Sequence, residues 1–315
     1  MDELTHKNLF VIGDSCIDHE IQGEVAGLSP EAPIPLLKNP VHTHNRGMVD
    51  NFLNNLAASF SFFENTTVLP HDIPHIISEY PSDIWRFISR PDNTQLLRVD
   101  KEPHHIVPLT IEEVRTKMPK DCRAIMILDY DTRWITAGLI ENIKKEYGPT
   151  HTLFIDSRKE DLRCCIGYTV KSNLAEHKIA TKICPTIEND IIQWNGSDRK
   201  IENDIVQWIR SDQKIDYPKM IVTMGGDGAR IQDTHYPQNN KVEVRDVTGC
   251  GETFFAAYIA YMIHHYRFEA RIGHSIYRTN KAMGYANYLA SVAATKQGVW
   301  YPRPEHIKEA LREEI

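Results

Sequence analysis

Short apolar runs, each ending in a polar residue or a glycine, alternate along the chain with segments of helical periodicity. The runs lie at 9–12, 124–128, 152–155 and 220–224, and a further strand at 169–173 leads into a helix. Continuous apolar runs of this length are typical of parallel strands that are buried on both faces. The alternation predicts an α/β fold: a doubly wound, mostly parallel sheet with helices on both faces. Ligands of such sheets bind beyond the carboxyl ends of the strands.

The chain of 315 residues is predicted to form one domain, 1–315, with a small appendage. Between Gly23 and Lys38 three prolines interrupt any helical pattern, so this stretch is predicted to be extended edge strands. A near-exact repeat is also present, because Ile187–Trp194 is followed by the closely similar Ile201–Trp208. We interpret residues 187–214 as a tandem duplication that lengthens a surface helix or loop, with a partner-binding element as the alternative.

Composition excludes some classes of function. Lys and Arg total 36 against 43 Asp and Glu, a net charge of −7, which disfavours binding to nucleic acid or to an anionic membrane. The most apolar run, Phe254–Ile263, is too short to span a bilayer, and the acidic N-terminal residues do not resemble a signal peptide. Six cysteines without a Cys-x-x-Cys pair indicate reduced thiols. We therefore predict a cytoplasmic protein that acts on a small molecule.

The strongest chemical motif is the glycine-rich segment Asp246–Glu252, which precedes an apolar helix. Glycines before a helix allow successive backbone N–H groups to converge, and the helix N-terminus adds partial positive charge. Gly249, Cys250 and Gly251 are thus predicted to form an anion hole for a transferring phosphate. The carboxylate of Glu252 is the candidate general base. By itself the motif is equally compatible with an ordinary glycine-rich turn capped by an acid.

Further motifs occur in a fixed order along nearly the whole chain. They are Val11–Asp18, Leu28–Pro35, Gly47–Asn51, Ser89-Arg90, Gln95–Asp100, Leu128–Tyr130, Asn173–Glu176, Thr223–Gly228, Asp246–Glu252, Ala286-Asn287 and Lys296–Gly298. In this order they resemble the ribokinase (PfkB-type) carbohydrate kinase family. Within that family the chain is most similar to the heptose-7-phosphate kinase branch, for which the segment Leu28–Pro35 is specific. The likeness covers only the kinase half of that bifunctional enzyme.

The resemblance implies use of ATP and Mg²⁺. It assigns Glu176, in the Asn173-x-x-Glu176 motif, to the ordering of Mg²⁺-bound water, a role that suits a cation that keeps its waters. A capping pair at a helix N-terminus explains the same two residues equally well. The resemblance also places a further set of residues around the nucleotide: Asn173, Thr223, Gly225, Gly228, Asp246 and Asn287.

On the sugar side the resemblance implies Asp14, Asp18, Gly47 and Asn51. Arg90 and Arg98 are candidates for binding a phosphate already present on the substrate, because guanidinium matches phosphate oxygens; solvated strand charges are the alternative. The implied function is ATP-dependent phosphorylation of a sugar or phosphosugar hydroxyl, with an acceptor like heptose 7-phosphate as the leading candidate. The alternative is an inactive relative that binds sugar or nucleotide.

Several positions depart from the family pattern. Glu252 replaces the family's catalytic Asp, and Cys250 replaces an Ala. Arg46-Gly47 replaces a glycine pair, and bulkier residues follow it at 48–50. The segment Asp129–Arg133 lacks the lysine and both glycines of the heptose branch. These changes leave the predicted fold intact and bear on activity and substrate.

The resemblance also predicts the form of assembly. Residues 20–45 and about 96–102 are expected to form a lid over the sugar, and in many family members two lids pair. Ile34, Leu36 and Leu37 are apolar residues on this extended segment that invite pairing. We therefore expect a homodimer.

Overall fold

The computed structural model describes residues 4–185, 187, 220–231, 234–238, 240–265 and 275–312. Apart from Ile187, the duplication at 187–214 lies outside the described residues. The larger sheet runs in the order β12-β11-β10-β9-β8-β7-β1-β4 and is parallel except at β11 and β12. The predicted mostly parallel sheet is thus confirmed. Its strands are β1 Leu9–Gly13, β4 His75–Ile77, β7 Ala124–Asp129, β8 Thr152–Ser157, β9 Thr169–Asn173, β10 Met220–Thr223, β11 Ala229–Ile231 and β12 Thr234–Tyr236.

Alternate residues of each central strand enter two separate hydrophobic clusters. In β1, Leu9 and Val11 pack on one face of the sheet, while Phe10 and Ile12 pack on the other. Strand side chains alternate between faces, so a strand buried on both sides must be apolar throughout. Each large side chain that is fully buried contributes roughly 1.5–3 kcal/mol.

Helices cover both faces. Helices α1 (Val49–Phe63), α5 (Cys250–His265), α6 (Ser275–Ala294) and α7 (Pro304–Arg312) pack on the first face. Helices α2 (Ile111–Lys117), α3 (Ala137–Tyr147) and α4 (Leu174–Ile183) pack on the second. In the described part of the chain, no helix combines the length and the apolar character that a membrane crossing requires.

A second sheet, which we call the lid sheet, has the order β3-β2-β5-β6. It consists of β2 (Ser15–Leu28), β3 (Pro35–Met48), β5 (Ser82–Arg90) and β6 (Gln95–Lys101). The sequence indicated three of these strands but gave no sign that β5 joins them in the centre. The register sets Asp18 opposite Asn45 and Ile84, and His19 opposite His44 and Trp85, so these two sets occupy opposite faces.

The face of the lid sheet that carries Asp18 and Arg86 turns toward the larger sheet, and we call it the inner face. Burial alone would raise the pKa of Asp246, but hydrogen bonds from the amides of Thr248 and Gly298 hold it below its ordinary value, and the charge of Arg86 adds to this lowering. The lid sheet therefore covers the segment that the sequence singled out for phosphate binding.

Met48, where the lid sheet joins α1, has a strained backbone, with φ 53° and ψ −121°. Only glycine adopts these angles without steric conflict, and such strain typically costs about 1–3 kcal/mol. We expect Met48→Gly to raise the free energy of unfolding by about 1 kcal/mol after the entropy cost of glycine. Met48→Ala, which keeps the Cβ atom, is the matched control and should give no gain in urea denaturation. If the glycine variant were less stable than the alanine variant, the inference that the backbone at Met48 is strained would be wrong.

Candidate active site

The glycine-rich segment before α5 is shaped by Asp246. Its carboxylate accepts hydrogen bonds from the amide of Thr248 at 2.9 Å and from the amide of Gly298 at 2.8 Å. Gly249 has a φ of 78°, which glycine adopts freely, and α5 begins at the next residue. Asp246 thus fixes the loop, and the structure gives it a supporting position.

The amide groups at this helix start are mostly open. Among the described residues, the amides of Gly249, Gly251 and Glu252 have no acceptor, whereas that of Cys250 donates to the carbonyl of Val247 at 3.3 Å. Free amides at a helix N-terminus suit an anion. The predicted anion hole therefore rests more on Gly249, Gly251 and Glu252 than on Cys250. Burial raises the pKa of the Cys250 thiol to about 12, so this thiol is neutral.

Glu252 lies in the first turn of α5, beside Tyr130 from the loop after β7. The Tyr130 hydroxyl donates a hydrogen bond to Oε1 of Glu252. Burial and the nearby charge of Glu252 raise the pKa of Tyr130 well above its ordinary value, so the phenol keeps its proton. Within the described ranges, Oε2 of Glu252 has no hydrogen-bond partner, which leaves one carboxylate oxygen available.

Lys171, on β9, is a site residue that the sequence analysis missed. Its Nζ donates to Oδ2 of Asp156 at 2.7 Å, and a Cβ added at Gly251 would lie 3.1 Å from that Nζ. Burial alone would lower the pKa of Lys171, but the carboxylates of Asp156, Glu176 and Glu252 together raise it. A buried ammonium group therefore stands beside the open amides. The presence of a lysine within a strand predicted to be buried is the feature of the sequence that could have identified this residue.

Asp156, at the end of β8, is the counter-ion of Lys171. Burial raises the pKa of Asp156 to about 6, although the paired ammonium group of Lys171 lowers it. At neutral pH both groups are charged, and the attraction between the two charges offsets the cost of removing them from water. The pair fixes the ammonium beside Gly251.

Asn173 and Glu176 form a reciprocal capping box at the start of α4. The Asn173 side chain accepts from the amides of Ala175 and Glu176, both at 2.9 Å, and Glu176 Oε2 accepts from the Asn173 amide at 2.8 Å. The capping explanation is therefore realised in the structure. Among the described residues, the second oxygen of Glu176 accepts no hydrogen bond, so this oxygen is the one available to bound water.

The remaining nucleotide-side residues surround the start of β11 and the strand beside it. Thr223 donates to the carbonyl of Ser172 at 3.4 Å. Gly228 has a φ of 88°, and a Cβ there would clash with the carbonyl of Tyr236. Asn287 donates to that same carbonyl at 2.9 Å. Gly225 has a φ of 60° and open space around its Cα.

On the sugar side, Asp14 is fully engaged with the loop after β7. It accepts from the amide of Tyr130 at 2.8 Å and from the hydroxyl of Thr132 at 2.6 Å. Burial is the main cause that raises its pKa to about 6. Asp14 thus links β1 to the loop that carries Tyr130.

Asp18, Gly47 and Asn51 lie where the inner face of the lid sheet meets α1. Asp18 forms a buried ion pair with Arg86, and any side chain at Gly47 would collide with Asp18 and Cys16. Asn51 is almost fully buried, and a Cβ added at Gly249 would lie 2.5 Å from its Nδ2. Asn51, which the resemblance assigns to the sugar, therefore lies against Gly249 of the predicted anion hole.

The two arginines proposed for a substrate phosphate lie on the lid sheet with other partners. Arg90 donates to Oε1 of Gln22 at 3.0 and 3.2 Å, and Arg98 is bidentate to Asp100 at 2.7 and 2.9 Å. Arg98 is directly opposite Arg86, so both occupy the inner face. Arg86 is a third guanidinium that the sequence analysis did not select.

The described acidic and imidazole side chains form no preassembled metal cage. In the parts of the chain that the structure covers, no three His, Cys, Asp or Glu residues are arranged to hold a metal ion directly. Mg²⁺ commonly keeps several waters and binds through substrate phosphates with one or two carboxylates. The carboxylate of Glu176 fits a hydrated ion of this kind that enters with a nucleotide, whereas the open amides suit the phosphates.

Comparison with solved structures defines the fold as ribokinase-like. Ribokinase from Thermotoga maritima superposes with a TM-score of 0.62 at 12% identity, covering 98% of this chain and 99% of that one. Arabidopsis thaliana ribokinase, solved with ribose and ATP, also gives a TM-score of 0.62 at 12% identity, with 99% of both chains covered.

Sequence comparison finds similarity to one family over part of the chain. Residues 172–306 match the model of the pfkB family carbohydrate kinases. Bifunctional protein HldE of a Nitratiruptor species is 24% identical over 329 residues, which span 96% of this chain and 65% of that protein. The chain thus spans slightly less than two thirds of that relative's length. The resemblance expected from the sequence is confirmed.

Proposed function

We propose that this protein transfers the γ-phosphoryl group of ATP to a hydroxyl of a sugar or phosphosugar. The observation that carries the proposal is the arrangement at the start of α5, where open amides, the ammonium of Lys171 and the carboxylate of Glu252 converge. Phosphoryl transfer requires positioning and charge stabilisation more than covalent chemistry. The pfkB family match of residues 172–306 supports the same reaction class.

In the proposed mechanism, Glu252 accepts the proton of the substrate hydroxyl as that oxygen attacks the γ-phosphorus. The bond between phosphorus and the β,γ-bridging oxygen breaks, and ADP leaves with the electron pair. The open amides and Lys171 stabilise the negative charge on the transferring group. Mg²⁺, held through water near Glu176, would neutralise phosphate charge when bound.

The proposed acceptor is a phosphosugar of the heptose 7-phosphate type. Support comes from the branch-specific segment Leu28–Pro35 and from three guanidinium groups on the inner face of the lid sheet, at Arg86, Arg90 and Arg98. Asp18 already compensates Arg86, and Asp100 already pairs with Arg98. A substrate phosphate would therefore exchange with Asp100 or add to the exposed Arg90.

The experiment that tests the proposal measures ADP release with ATP, Mg²⁺ and a panel of sugars and sugar phosphates. Isothermal titration with ATP and with each sugar accompanies it. Turnover with at least one acceptor supports the kinase. Binding without turnover would favour the non-catalytic alternative, and binding of neither ligand would contradict both.

We also propose a homodimer formed by the outer face of the lid sheet. Trp85, Val99 and Leu97 share this face in register, and Leu97 is 54% exposed. Exposed apolar residues on a sheet favour association. In light scattering at micromolar concentration we expect a dimer, and we expect Leu97→Glu/Val99→Glu to be a monomer. A wild-type monomer at high micromolar concentration would contradict this mode of assembly.

A further inference from the structure

One oxygen of the proposed base is already held by the protein. The Tyr130 hydroxyl donates to Oε1 of Glu252, although the two residues are 122 positions apart in the chain. The other oxygen, Oε2, has no hydrogen-bond partner within the described residues. A carboxylate tethered through one oxygen keeps a fixed orientation while the other oxygen remains able to accept a proton.

Tyr130 itself is fixed from several sides. Its amide donates to Asp14 at 2.8 Å, and the guanidinium carbon of Arg158 lies 4.2 Å from the centre of its ring. The ring also packs against the larger hydrophobic cluster. These contacts fix the position of the Tyr130 side chain, so its hydroxyl is held beside Glu252.

The loop that carries Tyr130 keeps an unusual backbone without glycine. Asp131 and Arg133 have φ values of 61° and 76°, in the left-handed region that glycine favours. Lys159 binds both Asp129 and Asp131, at 3.2 and 2.8 Å, and the Asp131 amide donates to Asp129 at 3.0 Å. The loop thus maintains a conformation that costs energy, and it places Tyr130 beside the base.

Glutamate has one more rotatable bond than aspartate, so its carboxylate samples more positions unless it is held. We propose that Tyr130 is a positioning residue that fixes the carboxylate of Glu252 for proton acceptance; this inference rests on the proposed kinase function. Tyr130 acts through Glu252 and does not itself need to touch the acceptor. Because aspartate is one methylene shorter, we expect its carboxylate at position 252 to lose the hydrogen bond from Tyr130.

The test compares steady-state kinetics of the full chain, with the best acceptor of the sugar panel, in wild type, Tyr130→Phe, Glu252→Asp and the double variant. We expect Tyr130→Phe to lower kcat by about 10–100-fold, as a small displacement of a reacting group does, with KM for ATP and acceptor within about twofold. Tyr168→Phe is the matched control, since its buried hydroxyl donates only to the carbonyl of Ile140 at 2.7 Å; its kcat should not change.

The decisive result is whether the effects of Tyr130→Phe and Glu252→Asp on kcat are additive. Glu252→Asp should lose the same tether and show a similar fall in kcat, and adding Tyr130→Phe should then change kcat by less than about twofold. Should Tyr130→Phe fail to fold, as judged by circular dichroism, the fall in Glu252→Asp with unchanged KM tests the tether alone.

Other outcomes overturn the inference. A kcat in Tyr130→Phe equal to that of Tyr168→Phe contradicts it while leaving the kinase function intact. An equal additional fall in the Glu252→Asp background contradicts it too, because Tyr130 would then act independently of Glu252. Absence of turnover in the wild type with every acceptor overturns the proposed function and, with it, this inference.

Discussion

Glu252→Gln is expected to lower kcat by about 10²–10⁴-fold, the range for loss of a general base. The amide has nearly the shape of the carboxylate and still accepts a hydrogen bond from Tyr130, but it cannot take the proton of the acceptor hydroxyl. The site geometry and the affinity for ATP should therefore persist. Measurement of kcat by ADP release, with ATP affinity by titration, checks both parts.

Glu243→Gln is the matched control for removal of one negative charge, because Glu243 is exposed in the segment that precedes the anion hole. We expect its kcat to equal that of the wild type. Turnover unchanged in Glu252→Gln would remove Glu252 as the base.

Lys171→Met is expected to have the second large effect, on both stability and rate. The variant leaves the Asp156 carboxylate buried without its partner, and removal of one member of a buried ion pair typically costs about 3–5 kcal/mol. It also removes the positive charge beside Gly251, where the transferring phosphate is proposed to lie. Chemical denaturation measures the first effect, and kcat measures the second.

The double variant Lys171→Met/Asp156→Leu separates these two effects. Replacement of both members of a buried pair by apolar residues is often neutral or stabilising, so the free energy of unfolding should recover. The kcat should remain low, because the positive charge is still missing. Recovery of kcat together with stability would show that Lys171 serves only the fold.

The fold was predictable because the buried central strands are apolar along their whole length. Leu9–Ile12 and Ala124–Leu128 are continuously apolar, and such runs have few alternatives to a parallel sheet covered on both faces. Strand β5 escaped prediction as part of the lid sheet. Its residues alternate between the two faces, and its place between β2 and β6 follows from pairings that are remote in the chain.

The site was predictable where it depends on local sequence and not where it depends on contacts across the chain. The glycine-rich start of α5 was recognisable from consecutive residues. Lys171 and Arg86 are charged residues within strands, and only the positions of Asp156 and Asp18 show that they are buried ion pairs. The contact between Tyr130 and Glu252 joins the loop after β7 to the first turn of α5, and the sequence separates these two segments widely.

The departures at 129–133 illustrate the same limit. This segment lacks the two glycines of the heptose branch, yet Asp131 and Arg133 adopt the positive φ values that glycine favours. Asp129 and Lys159 hold that backbone in place through their contacts with each other and with the loop, although they are 30 positions apart in the chain. Composition alone could not reveal this compensation.

In the proposed reaction, the γ-phosphoryl group of ATP moves to a sugar hydroxyl whose proton is accepted by Glu252. The most direct measurement is incubation of the protein with Mg²⁺, ATP labelled in its γ-phosphate and the sugar panel, followed by mass spectrometry of the acceptor. We expect the label to appear on an acceptor with the wild-type protein and to be nearly absent with Glu252→Gln. Label that stays on ATP or is released only as free phosphate, or equal labelling with both proteins, would contradict it.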